Sequence, residues 1–170
     1  MDVKNRKIVN AALFATLVFI ATSVIKIPTP GANGYVHPGD ALVILSGIVL
    51  GPIWGGLAAG IGSALADLLG GYVIFVPATF LIKAISAMLI GYVFKNMAHE
   101  KKSHYIGLVL AGVINAVVVV GGYCLFELVV FSKVIAFAGV IPNILQGITG
   151  LIISSLLYPL ISRISYLVTE

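Results

Sequence analysis

The sequence predicts an all-α membrane protein of six transmembrane helices, with both termini cytoplasmic, folded as one domain over residues 1–170. Three observations predict it. About 60% of the chain is hydrophobic and only 9% is charged, with a mean hydropathy of +1.14. A soluble domain carries about 25% charged residues to cover its water-facing surface. The apolar residues fall in runs close to the roughly 20 residues a helix needs to cross the hydrocarbon core. The cations fall in the gaps between those runs. This composition excludes a soluble globule, a disordered chain and a nucleic-acid-binding domain. Ten Lys and Arg stand against six Asp and Glu, a net charge of +4. In this setting the excess reads as membrane topology, with the bilayer as partner and no nucleic acid. A single cysteine, Cys124, excludes an internal disulfide framework.

The first apolar run is Ile8–Ile27, preceded by Lys4, Arg6 and Lys7. A signal peptide has a shorter apolar core, of about 7–15 residues, and a small-residue cleavage site. This run is longer and ends in Lys26-Ile27-Pro28-Thr29-Pro30, so it is read as a membrane helix. Pro28–Asp40 holds three prolines and three glycines and is a loop. Ala41–Leu69 is apolar for 29 residues but carries Gly51-Pro52. Proline disfavours helix across itself and the residue before it. Two helices are expected, 41–50 and 53–70. The first is only about 15 Å long, so a full crossing and a re-entrant hairpin both stay open. Gly70–Val76 is a loop, and Pro77–Phe94 is a helix with proline in its first turn. Lys95–His104 is a polar linker, with His99 and His104 solvated. Tyr105–Phe131 is the fifth helix, Ser132–Ile141 a third loop and Pro142–Val168 the last helix.

Placing the termini inside puts Lys4, Arg6, Lys7, Lys95, Lys101, Lys102 and Arg163 on the cytoplasmic side, and leaves only Lys26 and Lys133 outside. Lys83 lies within a span. Read as one straight helix, 41–69 would turn the Lys95–Lys102 cluster outward.

Ionisable groups inside a membrane cost roughly 2.5–3.5 kcal/mol each at a helix centre, so each one is worth placing. In this topology Tyr35, His37 and Asp40 sit at the outer mouth. Asp67 ends helix three, Lys83 is roughly 9–10 Å into helix four, Glu127 is near the outer end of helix five, and Asn143 and Gln146 open helix six. Asn115, deeper in helix five, is the exception. The polar residues form a cup at the outer end above an apolar floor. A channel needs polar lining throughout, and a secondary transporter places its site near the midplane. The cup suits capture of a small polar solute. Each residue also has a plainer role. Asp40 caps helix two, Lys83 snorkels outward or pairs with Asp67 or Glu127, and Tyr35, Tyr72 and Tyr123 belong to an interfacial belt, with Trp54 anchoring the cytoplasmic side. Small-residue seams mark helix contacts: Gly56-x-x-x-Gly60 within the bundle, and Ala11-x-x-x-Ala15 with Ala12-x-x-x-Thr16 on helix one. There is no GxxxxGK[ST] loop, HExxH, CxxC or GxSxG, so neither an enzyme nor an ATPase is expected.

The stretch His37-Pro38-Gly39-Asp40-Ala41 to Gly51-Pro52, then Gly55–Gly62, Asp67, Pro77-Ala78-Thr79-Phe80-Leu81-Ile82-Lys83 and Gly91 resembles the substrate-binding S components of energy-coupling factor (ECF) vitamin transporters. Within them it is most similar to the branch of riboflavin-type, pyridoxine and hydroxymethylpyrimidine carriers. The resemblance implies capture of a water-soluble vitamin in an outward-facing pocket with the first loop as lid. It implies docking of helix one, through Ala11, Ala12, Ala15 and Thr16, onto a transmembrane coupling subunit driven by two ATPase subunits. The chain itself would need no cofactor, since ATP is used only by those partners. The implied pocket residues are Tyr35, His37, Asp40, Asp67, Lys83, Glu127, Asn143 and Gln146. Few aromatics near the mouth favour a small ring, a B6 vitamer or a hydroxymethylpyrimidine, over riboflavin. A stand-alone secondary transporter, coupled through Asp67, Glu127 or Lys83, and a ligand-free scaffold are the competing readings.

Overall fold

The computed structural model describes residues 2–29, 31, 34–97 and 101–163. Helix α1 spans Val3–Val24. A small antiparallel hairpin follows, β1 (Ile27–Pro28) against β2 (Tyr35–Val36), with Ile27 opposite Val36. Then come α2 (Asp40–Leu69), a 3-10 turn (Val73–Phe75), α3 (Val76–Met97), α4 (Lys101–Val130) and α5 (Lys133–Ile161). Five of these helices are long and apolar enough to cross a membrane.

The expected break in α2 is present. Gly51 has φ 76° and ψ −177°, a conformation open only to glycine, and Pro52 behind it has no N–H to continue the ladder. The chain reverses there. A Cβ on Gly55 would strike the carbonyl oxygen of Ser46, and Gly47 Cα would lie 2.8 Å away. Residues nine apart cannot touch along a straight helix. The Ser46 hydroxyl sits 2.7 Å from Val43 O and 3.2 Å from Gly55 O, shared between the two limbs.

The first limb is the centre of the molecule. Ala41, Val43, Ile44 and Leu45 are all fully buried. Around it, α3 packs through glycines: a Cβ on Gly47 would stand 2.5 Å from Ala87 O, and one on Gly60 would stand 2.9 Å from Phe80 O. The Gly56–Gly60 seam is thus internal, as expected. Phe14 of α1, Leu45, Val49 and Leu50 form a core cluster, with Trp54 and Tyr158 packed against it. Trp54 therefore contributes to core packing at that end of the bundle.

Three expectations need correction. The loop at Ser132–Ile141 is helix: the Ser132 side chain accepts from the Ile135 N–H and starts α5 ten residues before Pro142. Pro142 lies inside that helix, which membrane helices tolerate when neighbouring groups satisfy the freed carbonyl. The Lys95–His104 linker is shorter than its polarity suggests, since α3 runs to Met97 and α4 starts at Lys101. His104 is half-buried rather than freely solvated. It stacks on Phe94 (centroids 5.9 Å, 18°) and meets the edge of Tyr158 at 6.2 Å. His99 and the end of the last predicted helix, 164–168, lie outside the described residues.

Candidate substrate-binding site

A cavity lies beneath the β1–β2 hairpin, bounded by the end of α2, the 3-10 turn, α4 and α5. Tyr35, His37, Asp67, Glu127, Asn143 and Gln146 line it, as the sequence proposed. So do Thr29, Tyr72, Phe75, Tyr123, Gly139 and Pro142.

The hairpin is fastened at both ends. Tyr35 OH donates to Asp67 Oδ1 at 2.7 Å. Burial, and then the Asp67 charge, raise the pKa of this phenol, so it stays a donor. Thr79 Oγ1 donates to Asp67 Oδ2 at 2.5 Å and lies 2.8 Å from Tyr123 OH. A hydroxyl has one proton, so Tyr123 is the donor in that second bond. Lys26 Nζ donates to Ala66 O at 3.3 Å and lies 4.6 Å from the Tyr35 ring centroid and 5.6 Å from that of Tyr72. On the other side the His37 N–H donates to Gln146 Oε1 at 3.0 Å. His37 Nδ1 accepts from the Gly39 N–H at 3.1 Å, which leaves Nε2–H as its donor. Burial, then the Lys83 charge, lower the His37 pKa from 6.5 to about 3, so the ring is neutral at physiological pH.

Asp40 and Lys83 are not part of the lining. Lys83 Nζ donates to Asp40 Oδ1 at 2.5 Å, and both side chains are 0% exposed. Asn115 Nδ2 donates to Asp40 Oδ2 at 2.8 Å, and Ser86 Oγ donates to Asn115 Oδ1 at 2.9 Å. Asp40 is not a side-chain cap of α2. Lys83 neither snorkels nor pairs with Asp67 or Glu127. The physical reason is burial: each charge is tolerable there only with the other and with further hydrogen bonds. The network ties α2, α3 and α4 together as a floor, with Lys83 Nζ 5.6 Å behind the Tyr123 ring.

The aromatic expectation also needs correcting. Tyr35, Tyr72, Phe75 and Tyr123 all face the cavity. Tyr35 and Tyr72 are 4.6 Å apart, and Phe75 packs on Phe126 at 5.3 Å. They come from three elements, the hairpin, the 3-10 turn and α4, so no local pattern announced their meeting. Asn115 and Thr79 were visible as polar residues in apolar runs, but their partners were not.

Glu127 stands apart. It is 3% exposed, and its Oε2 has no hydrogen-bond partner. A Cβ on Gly139 would lie 2.8 Å from that oxygen, so only glycine on α5 leaves it room. The free volume of the cavity is about 40 Å³, space for roughly three waters.

On α1 the two small-residue seams differ in exposure. Ala11 is buried in the core cluster with Ala15 packed beside it, whereas Ala12 and Thr16 are exposed. The Ala11–Ala15 seam is therefore an internal contact against α2, where a Cβ on Gly62 would strike Ala15 O.

Comparison with known proteins agrees with this architecture. Residues 2–163 match the family model for the ECF-type riboflavin transporter S component. An uncharacterized protein from Pyrococcus woesei is 33% identical over 136 residues, covering 80% of this chain and 88% of that one. The thiamine precursor transporter HmpT of Lactococcus lactis subsp. cremoris is 26% identical over 168 residues, 96% of this chain and 92% of the relative. A solved structure of the S component of a bacterial ECF transporter shares the fold with a TM-score of 0.69 at 23% identity, covering 94% of this chain and 97% of that one. The family and the solved neighbour are transporter S components rather than enzymes. The chain, with its lidded polar cavity and glycine-packed helices, belongs to the family of S components of ECF-type riboflavin transporters.

Proposed function

We propose that this S component captures a small pyrimidine of the thiamine-precursor type in the cavity beneath the hairpin and passes it to a coupling module in the membrane. The observation that carries the reading is the cavity itself: polar groups and aromatic rings under a lid, above a floor closed by the Asp40–Lys83 pair. A sealed floor suits capture and hand-over rather than a continuous polar path. The likeness to the thiamine precursor transporter HmpT supports the pyrimidine. So does the free volume of about 40 Å³, which a single ring enlarges less than a fused flavin would.

Tyr35, His37, Asp67, Glu127, Asn143 and Gln146 touch the ligand in this reading, while Asp40 and Lys83 hold the floor. The chain crosses the membrane six times with both termini cytoplasmic, the two limbs of α2 counting separately. The limb ending at Gly51 is short, at about 16 Å. The exposed Ala12–Thr16 seam receives the transmembrane coupling subunit. Two ATPase subunits supply the energy, and the chain needs no cofactor.

A riboflavin-binding function is the second reading, supported by the family description and by the four aromatic side chains at the cavity. Purification under native conditions, denaturation and mass spectrometry of the released small molecule tests both. A stoichiometric aminopyrimidine is the expected result. A flavin moves the assignment to the second reading. A protein that releases nothing and then ignores a vitamin panel in detergent overturns both.

A further inference from the structure

We propose that Glu127 selects the ligand by accepting a hydrogen bond from an amino group on its ring. The assignment rests on the capture function above and deepens it.

Three observations carry it. The Glu127 side chain is 3% exposed and lines the cavity, and its Oε2 has no partner. A buried carboxylate oxygen without a partner is costly, and the neighbouring structure keeps it so. Gly139, whose Cβ would lie 2.8 Å from that oxygen, leaves space beside it. Third, the other buried acceptors of the cavity, on Asp67 and Gln146, are already engaged. Asp67 receives Tyr35 and Thr79 on its two oxygens, and Gln146 Oε1 receives the His37 N–H. What remains on Gln146 and His37 is donor capacity, the amide NH₂ and Nε2–H. Among the buried side chains of the lining, Gln146 offers donors and Glu127 is the acid with an oxygen left unpartnered. A heteroaromatic ring with an acceptor nitrogen beside an exocyclic amine complements that set. A ring with an oxo group in place of the amine sets acceptor against acceptor.

The test is a matched pair of ligands on the purified, full-length protein in detergent, with affinities from calorimetry. The pair is 4-amino-5-hydroxymethyl-2-methylpyrimidine and its 4-oxo analogue, with pyridoxine and riboflavin as further probes. Wild type is expected to prefer the amine over the oxo compound by about 10- to 100-fold, the range for leaving a buried hydrogen-bonding group unsatisfied. In Glu127→Gln the preference should fall below about 3-fold, because the amide offers a donor as well as an acceptor. Gly139→Ala, which pushes the carboxylate aside, should reduce it without altering Glu127 chemically. Equal affinity of wild type for amine and oxo compound overturns the Glu127 assignment and leaves capture of a pyrimidine standing. Binding of flavin or pyridoxine alone, or of nothing, overturns the capture reading and this assignment with it. The wild-type comparison needs no variant to fold.

Discussion

The two walls of the cavity differ in how their polar groups are satisfied. On the α2–α3 side every carboxylate oxygen has a partner: Asp40 holds Lys83 and Asn115, and Asp67 holds Tyr35 and Thr79. On the α4–α5 side Glu127 has an oxygen with none. Packing follows the same division. Over their most apolar stretches, 61% of α2 and 44% of the α3 segment are buried, against 28% for α4 and 22% for α5. Both walls carry acids, yet only one wall spends its acids on its own fold. Charge in the sequence therefore does not by itself place a side chain at the cavity.

That contrast is sharpest at Lys83. If the pair is structural, Lys83→Ala leaves Asp40 buried and uncompensated, a loss of about 3–5 kcal/mol. Thermal unfolding in detergent should detect it as loss of folded protein before any ligand is added. Asp40→Asn with Lys83→Met should recover most of it. A Lys83→Ala protein that melts like wild type but has lost its ligand would move Lys83 from the floor into the site.

A smaller effect separates the walls by packing alone. A Cβ on Gly91 of α3 would meet Gly47 O, Gly51 C and Pro52 N, all backbone, at 2.7 Å. Gly91→Ala should cost about 1–3 kcal/mol by overpacking, read from the same unfolding curves. Gly121 of α4 has nothing within 4 Å of an added Cβ. Gly121→Ala should be neutral or gain up to about 1 kcal/mol from helix propensity. Equal losses at both positions would erase the distinction.

A pH-dependent effect concerns the lid. The His37 pKa is 6.5 in the unfolded chain and about 3 in the folded one. Between those values the unfolded chain binds more protons, so stability rises with pH through that window. The contribution is complete above 6.5 and is lost as pH falls toward 3. Wild type should therefore lose stability on acidification from pH 6.5 to 4.5 more steeply than His37→Gln. Parallel unfolding curves over that range would show that the lid does not bury this ring.

Much of this was legible in the chain. Composition and the length of the apolar runs dictate helices in lipid, because no other local structure satisfies the backbone there. Gly51-Pro52 marked the reversal in α2, since one residue can take positive φ and the next cannot donate. Six of the eight proposed site residues line the cavity, for a plain reason: polar side chains at one end of apolar helices collect where those ends converge. Asp40 and Lys83 failed that logic. Spacing cannot tell a charge that faces a cavity from one that faces another charge 43 positions away. The start of α5 was missed because Pro142 looks like a first-turn residue, while the capping serine ten positions earlier lies in a stretch that reads as loop.

The sequence by itself determined the class of molecule, the place of the sharp turn and the end at which polar groups gather. These follow from transfer free energies and backbone sterics, which act locally. Only the tertiary structure decided which α1 seam stays exposed, that four aromatic residues from three elements meet at one cavity, and which buried acid keeps an oxygen without a partner. Those are properties of pairs of residues far apart in the chain, and pairing is set by how helices pack, through glycines that let backbones touch.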